Sequence, residues 1–159
     1  MKIIFETDEV LEIPFDNLIA ANLDGLSLHR AILETMNMSA TTFLNADLRG
    51  AFMANSNLTS CNLSGASLIN AYLMNAVLNR ADLKNCRAIG CNFTGADLSE
   101  ANLTDADVYA ADFSRCNLQG AVILAKRIEA ATFKNATYDK QTKWPLNFDP
   151  STAGCLMVI

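Results

Sequence analysis

Large apolar residues return at every fifth position from Leu18 to Tyr138. These 25 positions hold 14 Leu, 4 Phe, 2 Met, 2 Ile and one each of Val, Ala and Tyr, with no charged or amide residue among them. Two residues before each, 19 of the 25 positions are Ala or Cys, and Thr41 and Ser56 are also small. Two residues after, six of the chain's seven glycines fall in one phase, and Asn45, Asn55, Asn70, Asn75, Asn85 and Asn135 share it. The residue just before the large one is Asn or Asp in 13 repeats, as in Ala46-Asp47-Leu48-Arg49-Gly50 and Cys61-Asn62-Leu63-Ser64-Gly65.

A period of five is neither the 3.6 of a helix nor the 2 of a flat strand. It predicts a short extended piece followed by a corner. The small residue and the large one two places on point the same way, as extended backbone requires, and both face inward. Gly and Asn collect at the corner because a tight turn there needs a positive φ at little cost. Four such sides close a coil of about 20 residues, and coils stack at about 4.8 Å. Twenty-five repeats then make a little over six coils in a rod roughly 30 Å long. Each coil buries about four large side chains, worth roughly 1.5–3 kcal/mol apiece. Backbone hydrogen bonds run between coils, so each coil is satisfied only by its neighbours.

The repeats resemble the pentapeptide-repeat family, whose unit runs small, Asn/Asp, Leu/Phe, polar, Gly or any residue. The resemblance covers about residues 16–140, and Thr142-Lys143-Trp144-Pro145 with Phe148-Asp149-Pro150 and Gly154 is similar to the C-terminal cap of many bacterial members. It implies an all-β chain forming a right-handed quadrilateral parallel β-helix; handedness does not follow from the periodicity alone. Residues 1–15 lie outside the register and read as an N-terminal cap of two extended segments around Thr7-Asp8-Glu9. Residues 141–159 read as a C-terminal cap or tail in which Trp144 and Phe148 cover the last coil, with a peptide ligand or dimer contact as the functional alternative. Asp16, Leu26, Met36 and Lys126 depart from the small position, and Ala88 from the large one. A buried Lys126 would be costly without a partner. The coil is therefore expected to loosen near residues 126–130, or Lys126 to reach past the wall.

Composition narrows the function. Hydrophobic residues make up 51% and charged residues 18%, and no apolar run approaches the roughly 20 residues of a membrane span. The N-terminus turns acidic too early for a signal peptide, so a soluble, cytoplasmic protein is expected, with no membrane contact. The net charge of −5 is unevenly spread: residues 1–35 hold seven acidic and two basic groups, and residues 113–159 hold three and six.

Candidate chemistry is sparse. Cys61, Cys86, Cys91 and Cys116 all lie in the inward small phase and read as core, with no C-x-x-C spacing to suggest a metal or redox pair. His29 is the sole histidine and points outward without a matched nucleophile. No glycine-rich phosphate loop is present. We therefore expect no catalytic site, cofactor or metal, and a structural or protein-interaction solenoid. Residues 20 apart stack, so Ile32, Phe52 and Tyr72 form one outward apolar column and Ile69, Ile89 and Tyr109 another, with Met74 near both. Contiguous outward apolar groups suggest a protein partner or a homodimer.

The alternative is a DNA-mimicking modulator of a type II topoisomerase, an activity of some family members, including quinolone-resistance proteins. Charge disfavours it. B-DNA carries about one negative charge per 1.7 Å, so a 30 Å mimic would want roughly 18, or about half that on one face. The basic final third argues further against it, and no direct nucleic-acid contact is expected.

Overall fold

A computed structural model describes residues 1–159 and shows the pentapeptide units wound into a right-handed quadrilateral β-helix. Residues 20 apart pair in parallel up the rod, as in the series Asn22, Thr42, Asn62, Asp82, Asn102 and Val122. The large inward residues from Leu18 to Phe133 are buried, and they form one continuous core with the small residues two places before them.

The backbone of one repeat explains its composition. In Cys61-Asn62-Leu63-Ser64-Gly65, the Cys61 amide closes the preceding turn on the Leu58 carbonyl at 3.1 Å. The Asn62 amide reaches down to the Thr41 carbonyl, while those of Leu63 and Gly65 reach up to Asp82 and Lys84. Only the Ser64 amide has no backbone acceptor, and the Asn62 side chain accepts its hydrogen bond at 3.0 Å. The same local bond recurs from Asn22, Asn37, Asn92, Asp97, Asn102 and Asp112. Asn or Asp before the large residue thus satisfies the one N–H per repeat that stacking leaves over.

Corners are turns with positive φ at their third residue, the type II geometry. Every corner from Ala20 to Gly120 takes it, including Arg30, Glu100 and Arg115. At three corners a glycine stands one coil above an asparagine. A Cβ on Gly65, Gly90 or Gly95 would meet the side-chain oxygen of Asn45, Asn70 or Asn75 respectively. Asparagine in one coil and glycine in the next therefore interlock along a corner.

The register holds until Leu124 and then slips. The corner residue is missing, so Ala125 enters the inward small row directly, and Lys126 pairs with Asp107 on the outer row 19 residues below. Arg127 takes a left-handed φ of 55° and turns outward, and a 3-10 turn, Ile128–Ala130, drops Ile128 into the large-residue column above Val108. A side of four residues followed by a side of six restores the register at Ala131. The physical cause is the one expected from Lys126: slipping by one residue keeps its charge outside, where it lies 3.9 Å from Asp105. The other departures are milder. Asp16 is exposed, and Leu26 and Met36 are half-buried near the base of the rod.

Both ends are covered. Strands β1 (Lys2–Phe5) and β2 (Val10–Glu12) form an antiparallel hairpin, and β1 pairs antiparallel with β3 (Ala31–Ile32) on the first coils. At the far end one extra residue after Tyr138 brings Thr142 into the small row, where its hydroxyl donates to the Leu118 carbonyl at 2.9 Å. Trp144 consequently stands in the column above Ile123. Phe93, Phe113 and Phe133 stack at 4.9 and 5.0 Å, and Trp144 and Phe148 close that ladder in edge-to-face contact with Phe133. Strand β5 (Leu156–Met157) then lies parallel on β4 (Thr137–Tyr138) and sets Cys155 above Ala136.

All five cysteines are free and buried. Burial pushes the thiols of Cys61, Cys86 and Cys116 up to about 12 and that of Cys155 up to about 11. A thiol reagent at pH 8 should therefore label the native protein slowly, with Cys155 first because it lies in the terminal segment, and label all five at once in denaturant. Rapid native labelling of Cys86 or Cys91 would contradict the inward phase.

Candidate functional site

The two outward apolar columns expected from the repeat lie on adjoining sides of the rod and share one corner. On one side Ile32, Phe52 and Tyr72 pair in sequence, with the Phe52 and Tyr72 rings stacked at 5.1 Å. The hairpin extends this column downward, because Ile4 pairs with Ile32. On the other side Ile69, Ile89 and Tyr109 follow one another at intervals of one coil. The corner between them carries Gly50, Asn70, Gly90 and Ala110, none of which has a long side chain. Apolar surface therefore continues around the edge of the rod.

Exposure differs along the strip. Tyr72 is 41% and Tyr109 47% exposed, while Phe52, Ile69 and Ile89 are half-buried in the wall. Met74 is also half-buried, but it lies on the far edge of the Tyr72 side, away from Ile69. At the lower end a shallow groove of about 500 Å³ gathers Phe52, Ile69 and Tyr72 with Glu6, Arg30 and Arg49. His29 is part of its wall.

Cations bound the strip above and below. Arg49 stands one coil below Ile69 and is held by Asp47 at 2.6 Å. Arg30 pairs with Glu6. At the top the Arg127 guanidinium lies 4.6 Å over the Tyr109 ring and pairs with Asp107. The arginine hydrogen bonds hold the carboxyl groups of Asp47 and Asp107 below their ordinary range.

Three parts of this site escaped the repeat pattern. Ile4 lies outside the register, and its place depends on antiparallel pairing. Arg127 reaches Tyr109 only because the chain slips by one residue before it. The bare corner needed the spatial adjacency of two sides. Its signal was nonetheless present as Gly50, Asn70, Gly90 and Ala110 spaced by 20. Trp144 and Phe148 sit at the C-terminal end of the rod, where they pack on Phe133 of the core and take no part in the strip. No group of three or more His, Cys, Asp or Glu is placed to hold a metal ion, and no helix is long and apolar enough to cross a membrane.

A model of pentapeptide repeats matches the chain in eight copies, over residues 17–55, 56–95 and 81–120. The chain belongs to the pentapeptide-repeat family. Among solved structures it is similar to alr5209, a pentapeptide repeat protein from Nostoc Pcc 7120, at 30% identity over 70% of this chain and 84% of that one, with a TM-score of 0.41. It is also similar to HetL from Nostoc sp. Strain PCC 7120, a pentapeptide repeat protein involved in heterocyst differentiation regulation. That match has 24% identity over 77% and 57% of the two chains and a TM-score of 0.37. A third is QnrB1, a plasmid-mediated fluoroquinolone resistance protein, at 18% identity over 87% and 92%, with a TM-score of 0.34. No curated protein matches the chain.

Proposed function

We propose that this pentapeptide-repeat protein is a non-enzymatic interaction module that binds a protein partner through the apolar strip around the Gly50–Ala110 corner. The observation that carries this reading is the continuity of the strip across two adjoining sides of the rod, from Ile32, Phe52 and Tyr72 to Ile69, Ile89 and Tyr109. Tyr72 and Tyr109 hold large exposed faces in fixed positions, so they lose little conformational freedom on binding. Contiguous apolar surface of this kind on a soluble protein marks a contact surface more often than scattered residues do.

Charge favours this reading over topoisomerase modulation by DNA mimicry. Asp47, Glu100 and Asp107 each already hold an arginine, so these acidic groups do not form the uncompensated row that a DNA backbone presents.

Replacing Ile69, Tyr72 and Ile89 together with Ser is the test. The side chains point outward, and surface substitutions cost within about 0.5 kcal/mol each, somewhat more at the half-buried Ile69 and Ile89. The variant should melt within a few degrees of wild type and lose partner capture or self-association by sedimentation. A variant that keeps every partner, with wild type a monomer, would remove the strip as a binding surface. One that unfolds would place these residues on the wrong side of the wall.

A further inference from the structure

We infer that a second copy of this chain covers the Tyr72 side of the strip, the two rods lying side by side and parallel about a two-fold axis that runs along them. This names the partner for one side of the strip and rests, for that side, on the binding reading above. The apolar column here is longer than the repeats alone make it. Below Ile32 come Ile4 and then Val10, set there by the antiparallel pairing of β1 with β3 and of β2 with β1. Val10, Ile4, Ile32, Phe52 and Tyr72 thus form one straight outward column over four steps of about 4.8 Å, or roughly 19 Å. Val10, Ile4, Ile32 and Tyr72 are exposed along it. Asn92 and Asp112 follow above, so the apolar column ends at Tyr72.

The charges on the two edges of this column select a second copy and its orientation. On one edge Arg30 stands beside Ile32, with Glu6 below it, since the Glu6 amide bonds to the Arg30 carbonyl at 3.1 Å. On the other edge stands Glu34, and the β1 register continued by two residues sets Lys2 below it. Going down, one edge reads plus then minus, and the other minus then plus. A two-fold along the rod lays each edge on the partner's opposite edge at the same height. Glu34 then meets the partner's Arg30, and Lys2 meets the partner's Glu6. Higher up, the edge residues beside Phe52 are Gly50 and Ala54, so the two faces can close together. Turning the second rod upside down about Ile32 would instead set Arg30 on Arg30 and Glu34 on Glu34, and like charges in contact cost affinity. Glu34 makes no ion pair within its own chain. The pairs of Arg30 with Glu6 and of Lys2 with Glu12 are exposed, so each cation can share a second carboxylate at little cost. The one like-signed encounter is Glu12 with the partner's Asp8 at the foot, where Lys2 lies 3.2 Å from Glu12.

Sedimentation of the intact protein over a wide range of concentrations is the test. Wild type should show a monomer–dimer equilibrium. Ile32→Lys, at the middle of the column, should weaken it by roughly tenfold or more. Glu34→Lys and Arg30→Glu should each weaken it several-fold by setting like charges opposite one another. An equimolar mixture of those two variants should associate nearly as well as wild type, because each supplies the charge that the other needs. A wild type that stays monomeric at every concentration overturns the inference. If the Ile69, Tyr72 and Ile89 variant nonetheless loses a captured protein, the binding reading stands without it. A dimer dissociated by Ile89→Ser but not by Ile32→Lys uses the other side of the strip and overturns the inference too. Single charge variants that associate as wild type does, or a mixture that fails to recover, overturn the parallel pairing and the inference with it. Melting curves check the fold of each variant, and Ile32→Ser replaces Ile32→Lys if the lysine variant melts early.

Discussion

Leu73→Asp is expected to abolish the cooperative folding transition at neutral pH. Leu73 is wholly buried, between Met53 one coil below and Phe93 one coil above. The substitution loses about 1.5–3 kcal/mol of apolar burial and leaves a carboxyl group without a partner, at several kcal/mol more. Single domains hold only about 5–15 kcal/mol in total, so the sum consumes most of the stability. In a solenoid the damage spreads, because each coil's backbone is satisfied only by its neighbours. The sign with pH is also fixed. Burial raises the carboxyl pKa in the folded state above its unfolded value, so the penalty is largest above that folded pKa and shrinks as pH falls through it. The variant should regain order toward pH 4. The control is Asn75→Asp at a corner, which keeps the side-chain shape that interlocks with Gly95 and should melt close to wild type. Melting curves by circular dichroism at pH 7.5 and 4 decide it. Equal melting temperatures for the two variants at neutral pH would overturn the assignment of the inward phase.

Trp144→Ala is expected to open the C-terminal end of the rod. Trp144 stacks on Phe148 at 5.1 Å and packs edge-to-face with both Phe133 and Tyr138. Removing a well-packed Trp costs about 3–5 kcal/mol, less here because the ring is only half-buried. The loss is local at first. Phe133 becomes accessible from the end, and Tyr138 of β4, on which β5 lies, loses its contact with the indole. The expected result is a melting temperature lower by roughly 10 °C, given about 2–4 °C per kcal/mol for a chain near this size. Thiol labelling of Cys155 faster than in wild type, with Cys61 unchanged, and concentration-dependent aggregation from the exposed end should accompany it. Trp144→Phe should recover most of the stability, since it restores an apolar ring over Ile123. Unchanged labelling and melting would show that the plug contributes little and that the coils below hold themselves.

Much of this architecture was legible in the residues, because a five-residue period leaves few arrangements. The inward phase follows from the chemistry of two positions per repeat, and 20-residue stacking follows from closing four sides. The outward columns of Ile32, Phe52 and Tyr72, and of Ile69, Ile89 and Tyr109, come from that arithmetic alone. Even the disturbance near Lys126 is readable, since a lysine in a dry small-residue row is too costly to keep there. The tertiary structure decided what local pattern cannot carry. It showed that relief came by deleting a corner before Ala125 and adding a residue after it, a choice that depends on whether Arg127 or Ile128 fits above Val108. It placed Ile4 beneath Ile32 through antiparallel pairing outside the repeat. It brought Arg127 onto Tyr109 and stood Trp144 above Ile123 after a second one-residue shift. The sequence determined the interior because every inward position answers to the same local rule. The ends and the apolar strip depend on groups far apart in the chain meeting in space, which only the completed winding brings about.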